Sequence, residues 1–273
     1  MKQWKIIKKN DEYLNPIVLI RKDNSLLLTE SNLMLVKGES GSGKSRVAMN
    51  FMVGFSGNAE ELGFMYTACP VDKHVLYLST EMSDHDLQRR LVKVLEYCPA
   101  EYEDRLVFAN IEGCDNKFEG LKGVIEEYPP YVIILDQIGD FVTSVNDLDA
   151  CSPFLSSFLS YTREIKCGVV VILHQNEDGG IGKKARGHLG SILEQKVVSR
   201  LAIADNKKGF VMRTTKMRAG GHLYLHAEFN EATEMLKVVG LPEKVDKYAK
   251  ILEQLTLPNS KGLVCEQIGE LQN

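Results

Sequence analysis

The chain has 273 residues, of which 44% are hydrophobic and 26% charged, and its formal net charge is −4. This is the composition of an ordinary globular protein, long enough for one large α/β domain with a small appendage. It argues against a surface coated in nucleic acid, and no apolar run reaches the roughly 18 residues of a membrane span.

The first residues, MKQWKIIKKNDEYLNPIVLI, are basic and then briefly apolar. They lack the small-residue cleavage site of a secretory signal, so the chain reads as cytoplasmic with no membrane partner. Residues 1–30 are expected to be an N-terminal extension, 31–240 the core, and 241–273 a helical C-terminal arm or a truncated helix-turn-helix. The six cysteines (69, 98, 114, 151, 167 and 265) contain no C-x-x-C pair and read as reduced thiols.

Residues 33–37 are apolar and strand-like. They run into Gly38, Glu39, Ser40, Gly41, Ser42, Gly43, Lys44 and Ser45, which fit the phosphate-loop pattern G-x-x-x-x-G-K-[ST]. In such a loop backbone N–H groups surround phosphate oxygens, Lys44 reaches the terminal phosphates and Ser45 places a hydroxyl on Mg²⁺. Val47, Ala48, Phe51 and Phe55 then form a helical stripe over Lys44–Phe55, so the loop feeds a helix N-terminus, where anions are favoured. The pattern implies that the chain binds a nucleoside triphosphate with Mg²⁺.

The next strand is predicted at 75–79, followed by a helix capped by Ser83 with Asp86 as its capping-box partner and extending to about Tyr97. Leu106–Asn110 is a further strand. The run YVIIL at 131–135 is a strand covered on both faces, and it ends at Asp136. An acid at that edge can hold Mg²⁺ opposite Ser45, or merely cap the next turn. Glu81, two residues beyond the strand at 75–79, can polarise an attacking water or compensate a helix dipole. Ser152 and Pro153 are expected to open a helix. A buried strand at 169–173 follows, and residues 201–204, 210–215 and 223–229 read as closing strands, partly antiparallel. Alternation of this kind predicts a mainly parallel twisted sheet flanked by helices.

Between Gly180 and Gly221 ten Lys or Arg face two acids, Glu194 and Asp205. Within this region NEDGGIGKKARGH (176–188) reads as a glycine-hinged loop whose Lys183, Lys184 and Arg186 either contact a polyanion backbone or are simply solvated. No aromatic residue is interleaved with them.

Five ordered segments resemble the RecA-like ATPases of the hexameric DnaB and plasmid RepA helicase type. These are the phosphate loop, VLYLSTEMSDHDLQRRL (75–91), VVVILHQ (169–175), GHLGSILEQKVVSRLAI (187–203) and TTKMRAGG (214–221). The resemblance implies a RecA-like P-loop fold for residues 30–230. It implies that the nucleotide is ATP, and that the chain is a plasmid, phage or mobile-element ATPase that acts on single-stranded DNA as a homo-oligomeric ring or filament. It further implies Glu81 as base for water, Gln175 as a sensor of the γ-phosphate or of the DNA state, and Lys216 and Arg218 as fingers reaching a neighbouring subunit's site. Val197 and Val198 depart from the family's A-D pair, and the first 30 residues are too few for a replicative helicase's N-terminal domain, which leaves open a loader or partner ATPase beside the mobile-element relative. A regulatory ATPase similar to the KaiC group is the alternative; a small-molecule kinase lacks an identifiable acceptor pocket. Arg89, Arg90 and Tyr66 are the candidates for stacking on the base.

Overall fold

The computed structural model describes residues 7–12, 14–57, 60–176, 181, 183–205 and 209–240. In chain order, β1 (Val18–Lys22) and β2 (Ser25–Thr29) form an antiparallel hairpin, and β3 (Leu33–Gly38) leads through the glycine loop into α1 (Lys44–Phe55). Then β4 (Glu60–Glu61) and β5 (Phe64–Tyr66) return beside the hairpin, giving a small sheet of order β2-β1-β5-β4. Residues 18–29 are thus built into the body. Leu19, Ile20, Leu27 and Leu28 are almost fully buried, and Ser199 donates its hydroxyl to the Leu27 carbonyl.

The large sheet takes its strands from β3 and from β6 (His74–Ser79), β7 (Leu106–Asn110), β8 (Pro130–Asp136), β9 (Gly168–His174), β10 (Ser199–Asp205), β11 (Phe210–Met217), β12 (Tyr224–Asn230) and β13 (Met235–Gly240). Their order is β13-β12-β11-β10-β3-β9-β8-β6-β7. The six strands from β10 to β7 are parallel, and β11 to β13 are added antiparallel. The expected α/β fold with a mainly parallel sheet is therefore correct.

The alternation within each central strand divides the core in two. Met34, Val36, Val132, Ile134, Val170 and Ile172 face α1, α2 (Asp84–Leu95) and the small sheet. Leu33, Leu35, Ile133, Leu135, Val169 and Val171 face α3 (Lys117–Glu127), α4 (Leu148–Glu164) and α5 (Gly187–Lys196). Both faces are covered, which is why these strands read as unbroken apolar runs.

Helix starts follow their caps. Ser83 accepts from the Asp86 N–H at 3.2 Å, as the capping box predicts, and the helix ends at Leu95 rather than near Tyr97. The helix expected to open at Ser152 and Pro153 instead begins at Leu148. Asp147 caps it by accepting from Asp149 N and Ala150 N, and Pro153 lies inside it. Helix α3 escaped the sequence reading because Gly120 and Gly123 interrupt its pattern; Asn116 caps it. The five described cysteines are unpaired. Among the described residues no helix is long and apolar enough to cross a membrane. The arm expected over 241–273 lies outside the described residues.

Candidate nucleotide site

The topology brings four strand ends to one rim. β3 ends at Gly38, β8 at Asp136, β9 at His174, and β6 at Ser79, with Glu81 two residues beyond. Because β9 lies between β3 and β8, a crevice opens outside the carboxyl ends of these parallel strands, where open α/β sheets take ligands. A cleft of about 320 Å³ lies there, lined by the loop residues Ser40, Gly41, Gly43, Lys44 and Ser45 together with Glu81, Asp136 and His174.

The loop is closely packed from behind. A Cβ on Gly38 would fall 2.3 Å from Ser42 Oγ and 2.4 Å from the Ile203 carbonyl, so only hydrogen fits. Gly43, with φ of 89°, occupies the left-handed conformation at the N-cap of α1. It contributes no side-chain cap, and the first turn of α1 contains no acid. Ser42 Oγ is buried with no hydrogen-bond partner. An open helix N-terminus and a lysine facing the cleft make a cradle that fits a polyphosphate.

Lys44 donates to the Glu39 carbonyl at 2.6 Å, and its Nζ lies 3.2 Å from His174 Nδ1. Burial lowers the lysine's pKa, with Asp136 and Glu81 opposing the shift. Burial and then Lys44 lower that of His174, so the imidazole is neutral and Nδ1 accepts. Asp136 is 5% exposed and accepts from the Tyr77 hydroxyl at 2.6 Å. Ser45 neighbours the same Tyr77 hydroxyl, so Ser45 and Asp136 flank it. Among the described residues no group of three His, Cys, Asp or Glu is arranged to hold a metal by itself. A cation here would share oxygens from Ser45, Asp136 and the phosphates, which fits Mg²⁺, an ion that keeps waters and few protein ligands.

Glu81 lies on the opposite wall. Ser79 Oγ accepts from the N–H groups of Glu81 and Met82, fixing the turn after β6. Gln137 donates its amide to Glu81 Oε1. Thr80 donates to Asp140 Oδ2 at 2.5 Å and accepts from Gln137 N at 3.1 Å, so this wall is cross-linked. Burial, then the charges of Asp136 and Asp140, raise the Glu81 pKa above that of an ordinary carboxylate. A carboxylate tuned upward beside a phosphate cradle has the chemistry of a general base.

The remaining sequence candidates lie elsewhere. Gln175 is 3% exposed, its N–H donates to the Gly38 carbonyl, and it does not line the cleft; the preceding His174 does. Lys216 donates to the Glu194 and Gln195 carbonyls and Arg218 to that of Lys196, capping the end of α5. Neither lines the cleft of its own chain. Lys183, Lys184 and Arg186 are exposed around a bridge between Gln175 and Ala185.

Among the base-stacking candidates, Tyr66 is removed by its burial. It packs at 5.2 Å from Phe55 and 6.1 Å from Phe51, and withdrawing such a ring costs about 1.5–3 kcal/mol. Arg90 does line the cleft, and its Nη1 is buried without a hydrogen-bond partner. Arg46, directly after the loop motif, was not singled out by the sequence. Its guanidinium lies 3.7 Å over the Phe229 ring, and with Arg89 and Arg90 it lines an adjoining cleft of about 310 Å³.

A protein-family model described as an AAA domain matches residues 20–180, more than half of the chain. The chain belongs to this AAA-domain family. It is accordingly a P-loop ATPase, a nucleotide-binding hydrolase, and the matched span contains the phosphate loop, Glu81, Asp136 and His174. No curated protein matches the chain.

Proposed function

We propose that this AAA-family ATPase is a DNA-dependent motor of the helicase type, hydrolysing ATP with Mg²⁺ and working as a homo-oligomer on single-stranded DNA. The observation that carries the hydrolytic half is the convergence of Lys44, Asp136 and Glu81 on one cleft at the sheet's carboxyl rim. Lys44 and the N–H groups at the start of α1 bind the β- and γ-phosphates. Ser45 and Asp136 would hold Mg²⁺, which when bound would neutralise charge on the phosphoryl oxygens. Glu81, oriented by Gln137, accepts a proton from a water in line with the γ-phosphorus; the water oxygen bonds to phosphorus as the bond to the β-γ bridging oxygen breaks. His174, neutral and beside Lys44, holds the lysine in place and is better situated than Gln175 to respond to the γ-phosphate. Arg46, Arg89 and Arg90 line the cleft that adjoins the phosphate site, and a nucleoside extending into it would meet their guanidinium groups.

The DNA-dependent half rests on the exposed Lys183, Lys184 and Arg186 and on the sequence resemblance. Lys216 and Arg218, remote from their own cleft, suit action in a neighbour's site, where a guanidinium stabilises transition-state charge only after docking. The test is ATP turnover with and without single-stranded oligonucleotide, alongside a measurement of particle size with an ATP analogue. Stimulated turnover by an assembled form supports the motor. Turnover indifferent to oligonucleotide at low salt removes DNA from the proposal and leaves a nucleotide-controlled ATPase.

A further inference from the structure

A lysine stands immediately before the phosphate loop, inside the sheet. Lys37 is 1% exposed and lies on the face of β3 shared by Leu33 and Leu35, against α5. Its ammonium donates to Glu194 Oε1 and to the Lys183 carbonyl, both at 2.5 Å. The same Glu194 oxygen accepts from the Ala185 N–H at 3.0 Å, and Oε2 accepts from Arg200 at 2.7 Å. Arg200 also donates to the Thr215 carbonyl on β11, next to Lys216, which itself donates to the Glu194 carbonyl. Burial alone would raise the Glu194 carboxyl, but the bonds from Lys37 and Ala185 outweigh it and hold the group ionised.

This arrangement is a costly way to gain stability. Buried ion pairs are often replaceable by apolar side chains without loss, because desolvation offsets their attraction. What an apolar pair could not supply is the two polar contacts made to the basic loop. Lys37 holds the carbonyl of Lys183 and Glu194 holds the N–H of Ala185, so the ion pair fixes the backbone at 183–185. One partner is the residue that precedes Gly38; the other lies on the helix end capped by Lys216 and Arg218.

We propose that Glu194, paired with Lys37, is a positioning residue that ties the basic loop to the phosphate loop, so that filling the nucleotide cleft is transmitted to residues 183–186. The coupling runs along β3 for one residue and then through one ion pair. It rests on the nucleotide site alone and does not require the basic loop to meet DNA. The pair is absent from local sequence patterns because its partners are separated by 157 residues.

The loop's own exposed cations provide the assay, since trypsin cuts after Lys183, Lys184 and Arg186. Full-length wild type, Glu194→Gln and Lys37→Met are digested briefly with and without a Mg²⁺–ATP analogue, and fragments are quantified by mass spectrometry. No DNA is present, and analogue binding is followed in parallel by fluorescence. The analogue is expected to slow loop cleavage in wild type about fivefold or more, the lower range of ordinary coupling between sites. In both variants that ratio should collapse to near one while the analogue still binds. Lys37→Met keeps a long apolar stem in the core and remains informative if Glu194→Gln fails to fold, which thermal unfolding will reveal. A variant that merely loosens the fold would raise cleavage with and without analogue alike and keep the ratio. An unchanged ratio in a folded variant, or no effect of bound analogue in wild type, overturns the proposal.

Discussion

The ammonium of Lys44 lies 3.2 Å from Nδ1 of His174, joining the phosphate loop to the tip of the strand inserted between β3 and β8. The contact requires a neutral imidazole, and the folded protein therefore holds the His174 pKa below its ordinary value of 6.5. The unfolded chain takes up this proton first as pH falls. It binds more protons than the native state in the window below about 6.5, so this contribution to stability is present above that pH and is lost progressively as pH drops through the folded pKa. Urea unfolding between about pH 7.5 and 5 should fall less steeply with acid for His174→Asn, which keeps an acceptor without titrating. Parallel curves for the two proteins would remove the assignment.

The charges around Glu81 predict an acid limb in the rate profile. Burial and the carboxylates of Asp136 and Asp140 hold Glu81 protonated to higher pH than a free glutamate. Turnover should therefore decline with acid at a pH above 4.5. Asp140→Asn removes one repelling charge and should move that limb to lower pH, read from kcat against pH at saturating ATP.

Lys216 and Arg218 cap α5 in their own chain, which separates a structural role from a catalytic one in a mixing experiment. Loss of helix-end contacts costs about 0.3–1 kcal/mol and a few degrees of Tm. Loss of a finger acting on a neighbour's phosphates costs about 10³-fold or more in kcat. Arg218→Ala should be nearly inactive alone and regain measurable turnover when mixed with Lys44→Ala, because mixed assemblies contain intact sites. Strictly additive residual activity on mixing would place the residues' role in their own fold.

The basic loop predicts a salt dependence. If Lys183, Lys184 and Arg186 each neutralise one phosphate, replacing all three with alanine should flatten the slope of log Kd for single-stranded oligonucleotide against log salt by about 2. Weakened affinity with an unchanged slope would mean that these cations do not meet the backbone.

The parts of the site that were legible from sequence are those with short-range grammar. The phosphate loop is contiguous, and Asp136 and Glu81 each follow an apolar run whose end must lie at the sheet rim. The antiparallel extension through β11 and β12 was also readable. What escaped depends on tertiary neighbours. The β1–β2 hairpin gains its burial from contacts with β10 and the residues after β11, such as the bond from Leu26 N to the Ala219 carbonyl. Tyr66 looked available for stacking because nothing local announces that Phe51 and Phe55 enclose it. His174 and Gln175 are adjacent in sequence, and only the end of β9 decides which of them faces the cleft. Arg46 acquires its position from Phe229, far along the chain.

The most direct test of the nucleotide site compares Glu81→Gln with wild type in steady-state ATP turnover and in equilibrium binding of a fluorescent ATP analogue. Removing a general base while sparing Lys44 and Ser45 should lower kcat by about 10²–10⁴-fold and leave analogue affinity within about threefold. Turnover at the wild-type rate would contradict the assignment of Glu81, and loss of binding together with turnover would show that its carboxylate supports the cleft rather than the chemistry.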